Sequence, residues 1–215
     1  MTEVPTIELN DGSRIPQLGF GVFQIEPDET ADAVKQALEI GYRHIDTAWI
    51  YKNEKAVGDG IADAVAEGIV TRDDIFVTTK IWVEDFADGD LQRAAQGSVD
   101  RLGFTPDLLL LHWPKPQPSF EETLGALNDA RAKGLTRDIG LSNFPSREFR
   151  RAQALSEARL LTNQVEYHPY LKLTPLLETA KDLGSSITAW SPLAQGKIAD
   201  DAVIGEIARA HGKTN

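Results

Sequence analysis

Seven short apolar runs recur along the chain and alternate with longer stretches whose apolar residues follow a helical spacing. Each run is too short for a helix, and several are almost continuously apolar, which is typical of strands covered on both faces. The runs begin about 24 to 33 residues apart, the length of one strand-and-helix unit. The pattern therefore predicts seven strands, at residues 17–23, 44–48, 74–81, 107–113, 138–144, 162–167 and 186–193.

Several of the intervening stretches carry residues that are favoured where helices begin or end. A glycine just past the last apolar position favours a helix end, and a proline is tolerated in the first turn. A serine followed three residues later by a glutamate is a capping box. These signals predict helix boundaries at Gly41, at Ser119 with Glu122 and Gly134, and at Thr174 with Pro175 and Gly184.

The alternation of strands and helices is compatible with two α/β architectures, an open doubly wound sheet and a (β/α)8 barrel. An open sheet of the nucleotide-binding kind predicts a G-x-G-x-x-G turn after the first strand. Residues 17–23, QLGFGVF, hold two glycines but not that motif, so we favour the barrel. Ahead of it, residues 6–16 read as an N-terminal β-hairpin with an Asp11-Gly12 turn, placed at the bottom of the barrel.

The number of strands differs from the eight of a closed TIM barrel. Only one further helical stretch, residues 201–212, follows the seventh strand, and a closed barrel usually needs about 250 residues. We therefore expect a (β/α)8 TIM barrel that lacks its eighth βα unit, forming a single domain over residues 1–215 that is incomplete at its C-terminal side.

Composition narrows the classes of function. The chain has no cysteine and a formal net charge of −11, so thiolate chemistry is excluded and nucleic acids or anionic membranes are disfavoured as partners. Its first residues lack the basic and apolar regions of a secretory signal, and no apolar run approaches the length of a membrane helix. We expect a cytoplasmic protein that binds neither nucleic acid nor membrane.

Polar side chains follow the apolar runs at the end of the strands where barrels place their active sites. Each one alone has an ordinary structural explanation, such as a loop cap, a solvated strand end or packing. Their recurrence at one end favours a common site. They are Asp46 at the end of the second strand and Tyr51 in the loop beyond it, Lys80 at the end of the third, His112 at the end of the fourth, Ser142 and Asn143 from the fifth, Gln164 from the sixth and Ser191 from the seventh.

Four of these residues suit proton delivery to a carbonyl oxygen. A tyrosine has a pKa near 10, and an ammonium about 4 Å away favours its phenolate by roughly 4 kcal/mol, or about 3 pKa units. Lys80 would thus lower the pKa of Tyr51, Asp46 would keep Lys80 charged, and His112 would orient a substrate oxygen. Carbonyl reduction also needs a hydride, which no side chain supplies, so a nicotinamide is required.

The chain resembles the aldo-keto reductase family along essentially its whole length. The matching segments are GYRHIDTAWIYKNEKAVG (41–58), TTKIW (78–82), LLLLHWP (108–114), GLTRDIGLSNF (134–144), NQVEYHPYL (163–171) and SPLAQGK (191–197). The resemblance is nearest to the bacterial branch that includes 2,5-diketo-gluconate reductases. It implies NADPH-dependent reduction of aldehydes or ketones, with Asp46, Tyr51, Lys80 and His112 as a catalytic tetrad and Tyr51 as proton donor.

The resemblance also implies how a cofactor and a substrate would be held. Trp190, where many relatives have tyrosine, would stack on the nicotinamide, and the strand-eight residues with which relatives bind the adenosine 2′-phosphate are absent, which leaves NADH open. The nicotinamide carboxamide would contact Ser142, Asn143 and Gln164, and the phosphates Ser191, Leu193 and Gln195. The substrate pocket would be walled by Phe23, Trp49, Trp82 and Trp113, for which plain core packing is the alternative.

Two other classes of function stay open at this stage. A Schiff-base aldolase would use Lys80 as an amine nucleophile, and a non-catalytic binding or regulatory protein would use the fold alone. His44, His168 and His211 lack metal-ligand spacing and are interpreted as structural or exposed. We expect a monomer whose partner is a small carbonyl compound that the sequence does not identify.

Overall fold

A sheet of seven parallel strands forms the centre of the protein, seen in a computed structural model that describes residues 4–8, 12 and 14–214. The strands follow one another in the sheet in chain order, and each is joined to the next through a helix. This sequential order is that of a TIM barrel, since a doubly wound sheet reverses its order at a switch point. The predicted architecture is therefore confirmed, with seven strands in the sheet of the described chain.

Six of the seven strands are shorter than the apolar runs that predicted them, and five of those runs continue into the loop beyond the strand. The sixth strand in chain order instead begins two residues before its run. In chain order the strands are β3 Phe20–Gly21, β4 His44–Asp46, β5 Phe76–Ile81, β6 Leu108–Leu111, β7 Asp138–Ser142, β8 Leu160–Glu166 and β9 Ser186–Trp190. β3 and β9 lie at the two edges of the sheet.

Seven helices accompany the strands in the part of the chain that the structure describes. The boundary signals did not identify the second, third and fifth of them, although the third ends at Gly103, a glycine in the left-handed conformation. The helices are α1 Pro27–Ile40, α2 Glu54–Ala66, α3 Asp90–Leu102, α4 Phe120–Ala132, α5 Ser146–Leu155, α6 Thr174–Leu183 and α7 Ala202–Ala210. None of them is both long and apolar enough to cross a membrane.

Two of the predicted helix signals differ in detail from the structure. The Ser119 hydroxyl accepts from the Glu122 amide, but the Glu122 carboxylate accepts from the amide of Asp88, so the capping box is only half formed. Thr174 is the first residue of α6 and makes no side-chain cap, because Leu173 occupies the cap position. The predicted ends at Gly41 and Gly184 are confirmed, both in the left-handed conformation that glycine favours.

The four leucines of β6 show why its sequence is continuously apolar. Leu109 and Leu111 pack in the layer between the sheet and the helices, whereas Leu108 and Leu110 face the interior. Successive side chains of a strand point to opposite faces, so a strand covered on both faces needs an apolar residue at every position.

A short antiparallel hairpin of β1 (Thr6–Glu8) and β2 (Arg14–Pro16) precedes the sheet. Ile15 of β2 is buried with interior residues from the start of the central strands, among them Phe76 and Leu108. The hairpin thus covers the bottom of the barrel as predicted. The Asp11 half of the predicted turn lies outside the described residues, and Gly12 has a φ of 82°.

Helices α2 and α3 approach so closely at Gly58 that a side chain there would meet the backbone. A Cβ added at Gly58 would lie 2.2 Å from the Leu102 carbonyl oxygen, whereas one at Gly125 in α4 would meet no atom within 4 Å. We predict that Gly58→Ala lowers the free energy of unfolding by about 1–3 kcal/mol. The matched variant Gly125→Ala should raise it by about 0.4–1 kcal/mol, through the entropy of the unfolded chain. Urea unfolding measures both, and a Gly58→Ala protein as stable as wild type would contradict the close approach.

Candidate active site

Lys80, at the end of β5, is buried at the upper end of the barrel interior with a side chain only 1% exposed. Its ammonium donates to Asp46 Oδ1 at 2.6 Å, to the Thr47 carbonyl at 2.8 Å and to the Tyr51 hydroxyl at 3.3 Å. An ammonium has three N–H donors and no acceptor, so all three are matched. The residues predicted to influence one another are therefore in direct contact.

The strand register explains why Asp46 and Lys80 meet. Asp46 of β4 is opposite Thr78 of β5, and Lys80 lies two residues farther along the same strand. Side chains two residues apart share a face, so Thr78 and Lys80 both point inward with Asp46. The acid at the end of an apolar strand is the partner that the buried lysine requires.

Tyr51 lies in a single 3-10 turn, Trp49–Tyr51, that follows β4. Asn53 holds this loop in place, because its side-chain amide donates to the Val22 carbonyl at 3.0 Å and accepts from the Thr47 hydroxyl at 2.8 Å. Sequence reasoning assigned no role to Asn53. It belongs to the D-x-x-x-x-Y-x-N-E motif, and that spacing was the signal that could have identified it.

Glu54, the next residue of this motif, is also buried and also has a structural task. It accepts from the Thr79 hydroxyl at 2.5 Å and from the Arg101 guanidinium at 2.7 Å. The first turn of α2 is thereby tied to β5 and α3, and the loop that carries Tyr51 is held at both ends.

His112 follows β6 and borders Tyr51. Its ring lies 5.9 Å from the Tyr51 ring and 5.2 Å from the Trp82 ring, both edge-on. Asn143 donates to the His112 carbonyl at 3.0 Å and so fixes the backbone. The Nδ1 atom is buried and has no hydrogen-bond partner among residues 4–8, 12 and 14–214. The four predicted catalytic residues are thus brought together.

The predicted lowering of the Tyr51 pKa is wrong for this structure. Burial of the phenol raises its pKa above the ordinary value, and the Asp46 charge adds to that increase. The Lys80 ammonium opposes both but does not outweigh them. The prediction rested on the ammonium alone, whereas burial also removes water from the phenol and the Asp46 carboxylate lies nearby.

The pKa values of Lys80 and His112 are shifted in opposite directions. Burial by itself would lower the pKa of Lys80, but the nearby Asp46 carboxylate and Tyr51 raise it overall, so the amine stays charged. Burial, assisted by the Lys80 charge, lowers the pKa of His112 to about 4 and keeps the imidazole neutral. A lysine held so firmly as an ammonium is unsuited to the Schiff-base chemistry of an aldolase.

A second group of polar side chains lies beside the tetrad at the ends of β7, β8 and β9. The Ser142 hydroxyl donates to the Gln164 carbonyl at 2.9 Å, and the Asn143 amide donates to the Ser142 hydroxyl at 3.0 Å. The Trp190 indole N–H donates to Asn143 Oδ1 at 3.0 Å. Gln164 reaches Asp46 Oδ2 with its amide nitrogen at 2.6 Å. The four residues predicted to surround a nicotinamide therefore form one hydrogen-bonded group that touches the tetrad.

The residues predicted to follow the cofactor phosphates lie in the loop that directly follows β9. Leu193 and Gln195 are exposed, and Ser191 is half-buried. Ser191 and Gln195 have positive φ angles of 49° and 54°. The loop therefore presents its side chains to solvent at the edge of the sheet.

The four aromatic residues assigned to a substrate pocket have different surroundings. Phe23 is 62% exposed with its ring 5.0 Å from that of Tyr51, and Trp113 is 43% exposed, so neither is a core residue. Trp82 packs against His112, whereas Trp49 lies beneath the Lys52 ammonium at 3.2 Å. Phe23 and Trp82 border the tetrad directly.

The remaining histidines lie outside the tetrad. His44 is buried with its Nε2 2.9 Å from the Thr78 hydroxyl, and burial lowers its pKa. His168 lies 3.4 Å from the Glu166 carboxylate, and His211 is exposed at the end of α7. Among the side chains that the structure describes, no three histidine or acidic groups converge in a way that would hold a metal ion.

Comparisons with known proteins agree on one family. The profile of the aldo/keto reductase family matches residues 17–213. Methylglyoxal reductase DkgB of Escherichia coli O157:H7 is 42% identical over 204 residues, which cover 93% of this chain and 75% of that protein. The crystal structure of a Bombyx mori aldo-keto reductase in complex with NADP is 36% identical, with a TM-score of 0.91 over 100% of this chain and 78% of that one. A crystal structure named for a 2,5-diketo-D-gluconic acid reductase B is 43% identical, with a TM-score of 0.89 over 93% and 70%.

The low pKa of His112 gives a prediction about acid stability. The folded protein keeps His112 neutral down to about pH 4, whereas the unfolded chain takes up the proton near pH 6.5. The stability contributed by the neutral ring is therefore complete above pH 6.5 and is lost as the pH falls towards 4. Between pH 7 and 4.5 we expect His112→Gln to lose about 2–3 kcal/mol less unfolding free energy than wild type.

Urea unfolding at the two pH values measures this difference, and His211→Gln, at an exposed position, is the matched control. A His112→Gln protein with the same acid dependence as wild type would show that His112 is not held neutral.

Proposed function

The chain belongs to the aldo/keto reductase family, and from this premise we propose that it is an oxidoreductase that uses NADPH to reduce aldehyde or ketone carbonyls to alcohols. The observation that carries the proposal is the contact of the buried Lys80 ammonium with both Asp46 and the Tyr51 hydroxyl. We assign catalysis to Asp46, Tyr51, Lys80 and His112 as part of the same proposal.

Tyr51 is the proton donor in this proposal. Because the Lys80 ammonium only donates, the Tyr51 oxygen accepts its hydrogen bond, and the phenol hydrogen is free to point elsewhere. Burial raises the pKa of Tyr51, so the phenol keeps its proton at neutral pH. A carbonyl oxygen that gains charge during reduction becomes an alkoxide, which is a stronger base than a phenolate, so it takes this proton readily. The phenolate that remains is stabilised by the adjacent ammonium.

His112 would orient the substrate oxygen. Its pKa of about 4 makes the ring neutral across the working range, so it does not replace Tyr51 as the acid. A neutral imidazole carries one N–H, which is able to donate to a carbonyl oxygen placed near the Tyr51 hydroxyl. The edge-on contact keeps the His112 and Tyr51 rings beside each other.

The chemistry of the donor set at the ends of β7, β8 and β9 fits a nicotinamide. Within the described chain, Gln164 uses one amide N–H on Asp46, which leaves a second N–H and the amide oxygen for a carboxamide. NADPH, when bound, supplies the hydride that reaches the carbonyl carbon. We propose that Ser142, Asn143, Gln164 and Trp190 hold the nicotinamide end, and Ser191, Leu193 and Gln195 the phosphates.

The proposal also covers the compartment and the oligomeric state of the protein. We propose a cytoplasmic monomer with a small carbonyl compound as its partner. The absence of cysteine supports a reducing compartment. The net charge of −11 argues against binding to nucleic acid.

The proposed function is tested by following NADPH consumption with a panel of aldehydes, ketones and keto-sugars. Methylglyoxal and a keto-sugar acid come first, because one relative is named for the former and one matching structure for the latter. We expect turnover with at least one member and the corresponding alcohol as product. A folded wild-type protein that consumes no NADPH with any of them would overturn the proposal.

We predict that Tyr51→Phe lowers kcat by about 10²–10⁴-fold and leaves the Kd for NADPH near that of wild type. The phenol delivers the proton and does not hold the dinucleotide. Steady-state kinetics and a fluorescence titration with NADPH measure the two effects. Tyr42→Phe is the matched control, since Tyr42 packs against Phe20 away from the tetrad and should keep full activity. A loss below tenfold in Tyr51→Phe would show that another group is the acid.

We predict that Lys80→Met lowers kcat about as much as Tyr51→Phe, because the phenolate formed during reduction would then lack its ammonium. Asp46→Asn should be milder, since the Thr47 carbonyl and the Tyr51 oxygen still accept from Lys80. The kcat values of the two variants at neutral pH give the comparison. A greater loss in Asp46→Asn than in Lys80→Met would contradict this order.

A further inference from the structure

Gln164 makes a contact across the barrel that its assignment to a nicotinamide does not explain. It lies in β8, whereas Asp46 lies in β4, and three strands separate the two in the sheet. Its amide nitrogen nevertheless approaches Asp46 Oδ2 at 2.6 Å. A carboxylate only accepts hydrogen bonds, so the amide nitrogen is the atom that must face it.

The two oxygens of Asp46 are thereby shared between two donors. Oδ1 accepts from the Lys80 ammonium and Oδ2 from Gln164. Gln164 is itself held in place, because the residue is 5% exposed and its backbone carbonyl accepts from the Ser142 hydroxyl. Asp46 is therefore held from both sides, and rotation of its carboxyl group would break one of these bonds.

We propose that Gln164 is a positioning residue of the tetrad, which holds the Asp46 carboxylate in the orientation that keeps the Lys80 ammonium against the Tyr51 hydroxyl. The inference rests on the proposed function, since it assigns a role within that reaction. Gln164 acts through Asp46 and is distinct from the groups that touch the reacting atoms.

The first test is a double-mutant cycle measured as kcat at saturating NADPH and carbonyl substrate. Gln164→Met removes the amide donor at similar volume and should lower kcat by about threefold to thirtyfold. If Gln164 acts through Asp46, the double variant Asp46→Asn, Gln164→Met should be within about twofold of Asp46→Asn alone. Losses that multiply in the double variant would overturn the proposal. Because kcat is compared at saturation, weaker binding of NADPH does not affect the result, and an effect on the nicotinamide that is independent of Asp46 would appear as losses that multiply.

The second test introduces a charge in place of the amide. Gln164→Glu puts a carboxyl group against Asp46, and two carboxyl groups so close share a proton at low pH. The introduced carboxyl group, when protonated, donates to Asp46 as the amide does, whereas its ionised form repels Asp46 and disfavours the Tyr51 phenolate. We expect kcat within about threefold of wild type at the acid end of the profile, and at least tenfold below it once the pair has lost its proton.

The wild-type groups that face this contact do not titrate between about pH 6.5 and 9. Asp46 influences His44, Tyr51, Lys80 and His112. The pKa values of the two histidines are lowered, and those of Tyr51 and Lys80 are raised. A fall in kcat across this window therefore belongs to the introduced carboxyl group.

The chain offers a matched control in Gln92, another buried glutamine, whose amide donates to Asp88 at 2.8 Å and to Asp129 at 2.7 Å, between α3 and α4. Gln92→Glu creates the same kind of carboxyl pair away from the site and should leave the pH profile of kcat unchanged. A wild-type pH profile in Gln164→Glu, or the same new pH dependence in Gln92→Glu, would overturn the proposal. Failure of the proposed function would appear separately, as an inactive wild-type protein.

Discussion

A lysine ammonium buried inside a barrel has to find an acceptor for each of its three N–H groups, and much of the site follows from that requirement. Lys80 satisfies it with a carboxylate, a backbone carbonyl and a phenol oxygen. An unpaired buried charge would cost several kcal/mol, so these acceptors cannot be exchanged freely. Asp46 has to stand at the end of β4, and the loop beyond it has to return Tyr51 to the same point. The backbone of that loop supplies the third acceptor through Thr47.

The need to hold Tyr51 beside Lys80 also explains why Asn53 and Glu54 are buried next to this loop. A phenol held 3.3 Å from an ammonium has to be positioned by its backbone, because the hydrogen bond alone is too weak to fix a loop. Asn53 bonds to the loop and to the end of the first barrel strand, and Glu54 ties the next helix to β5 and α3. Both side chains are polar and buried, and both use their oxygen atoms, and Asn53 also its nitrogen, in hydrogen bonds to neighbouring elements. They stabilise a geometry in which the proton donor remains a neutral phenol until charge develops on its partner.

Much of the candidate site could be read from residue types placed at the ends of the strands. Asp46, Lys80 and His112 were recognisable because a polar residue at the end of an apolar strand marks the rim where barrels carry their chemistry. Gln164 and Asn143 were assigned to a cofactor only, because a hydrogen bond across the interior leaves no spacing in the sequence. The direction in which the pKa of Tyr51 is shifted could not be predicted either, because it depends on how completely Phe23, His112 and the loop remove water from the phenol.

The sequence by itself determined the alternation of strands and helices, since apolar periodicity and glycine at helix ends are local properties. It also favoured the barrel over an open nucleotide-binding sheet, because residues 17–23 lack the glycine-rich phosphate-binding turn. Only the tertiary structure decided which side chains meet. Asp46 and Gln164 are 118 residues apart in the chain and become neighbours because the sheet curves β4 and β8 around one interior. Burial, and with it the protonation of Tyr51, Lys80 and His112, is likewise a property of that enclosed space, since it depends on how much water the surrounding elements exclude.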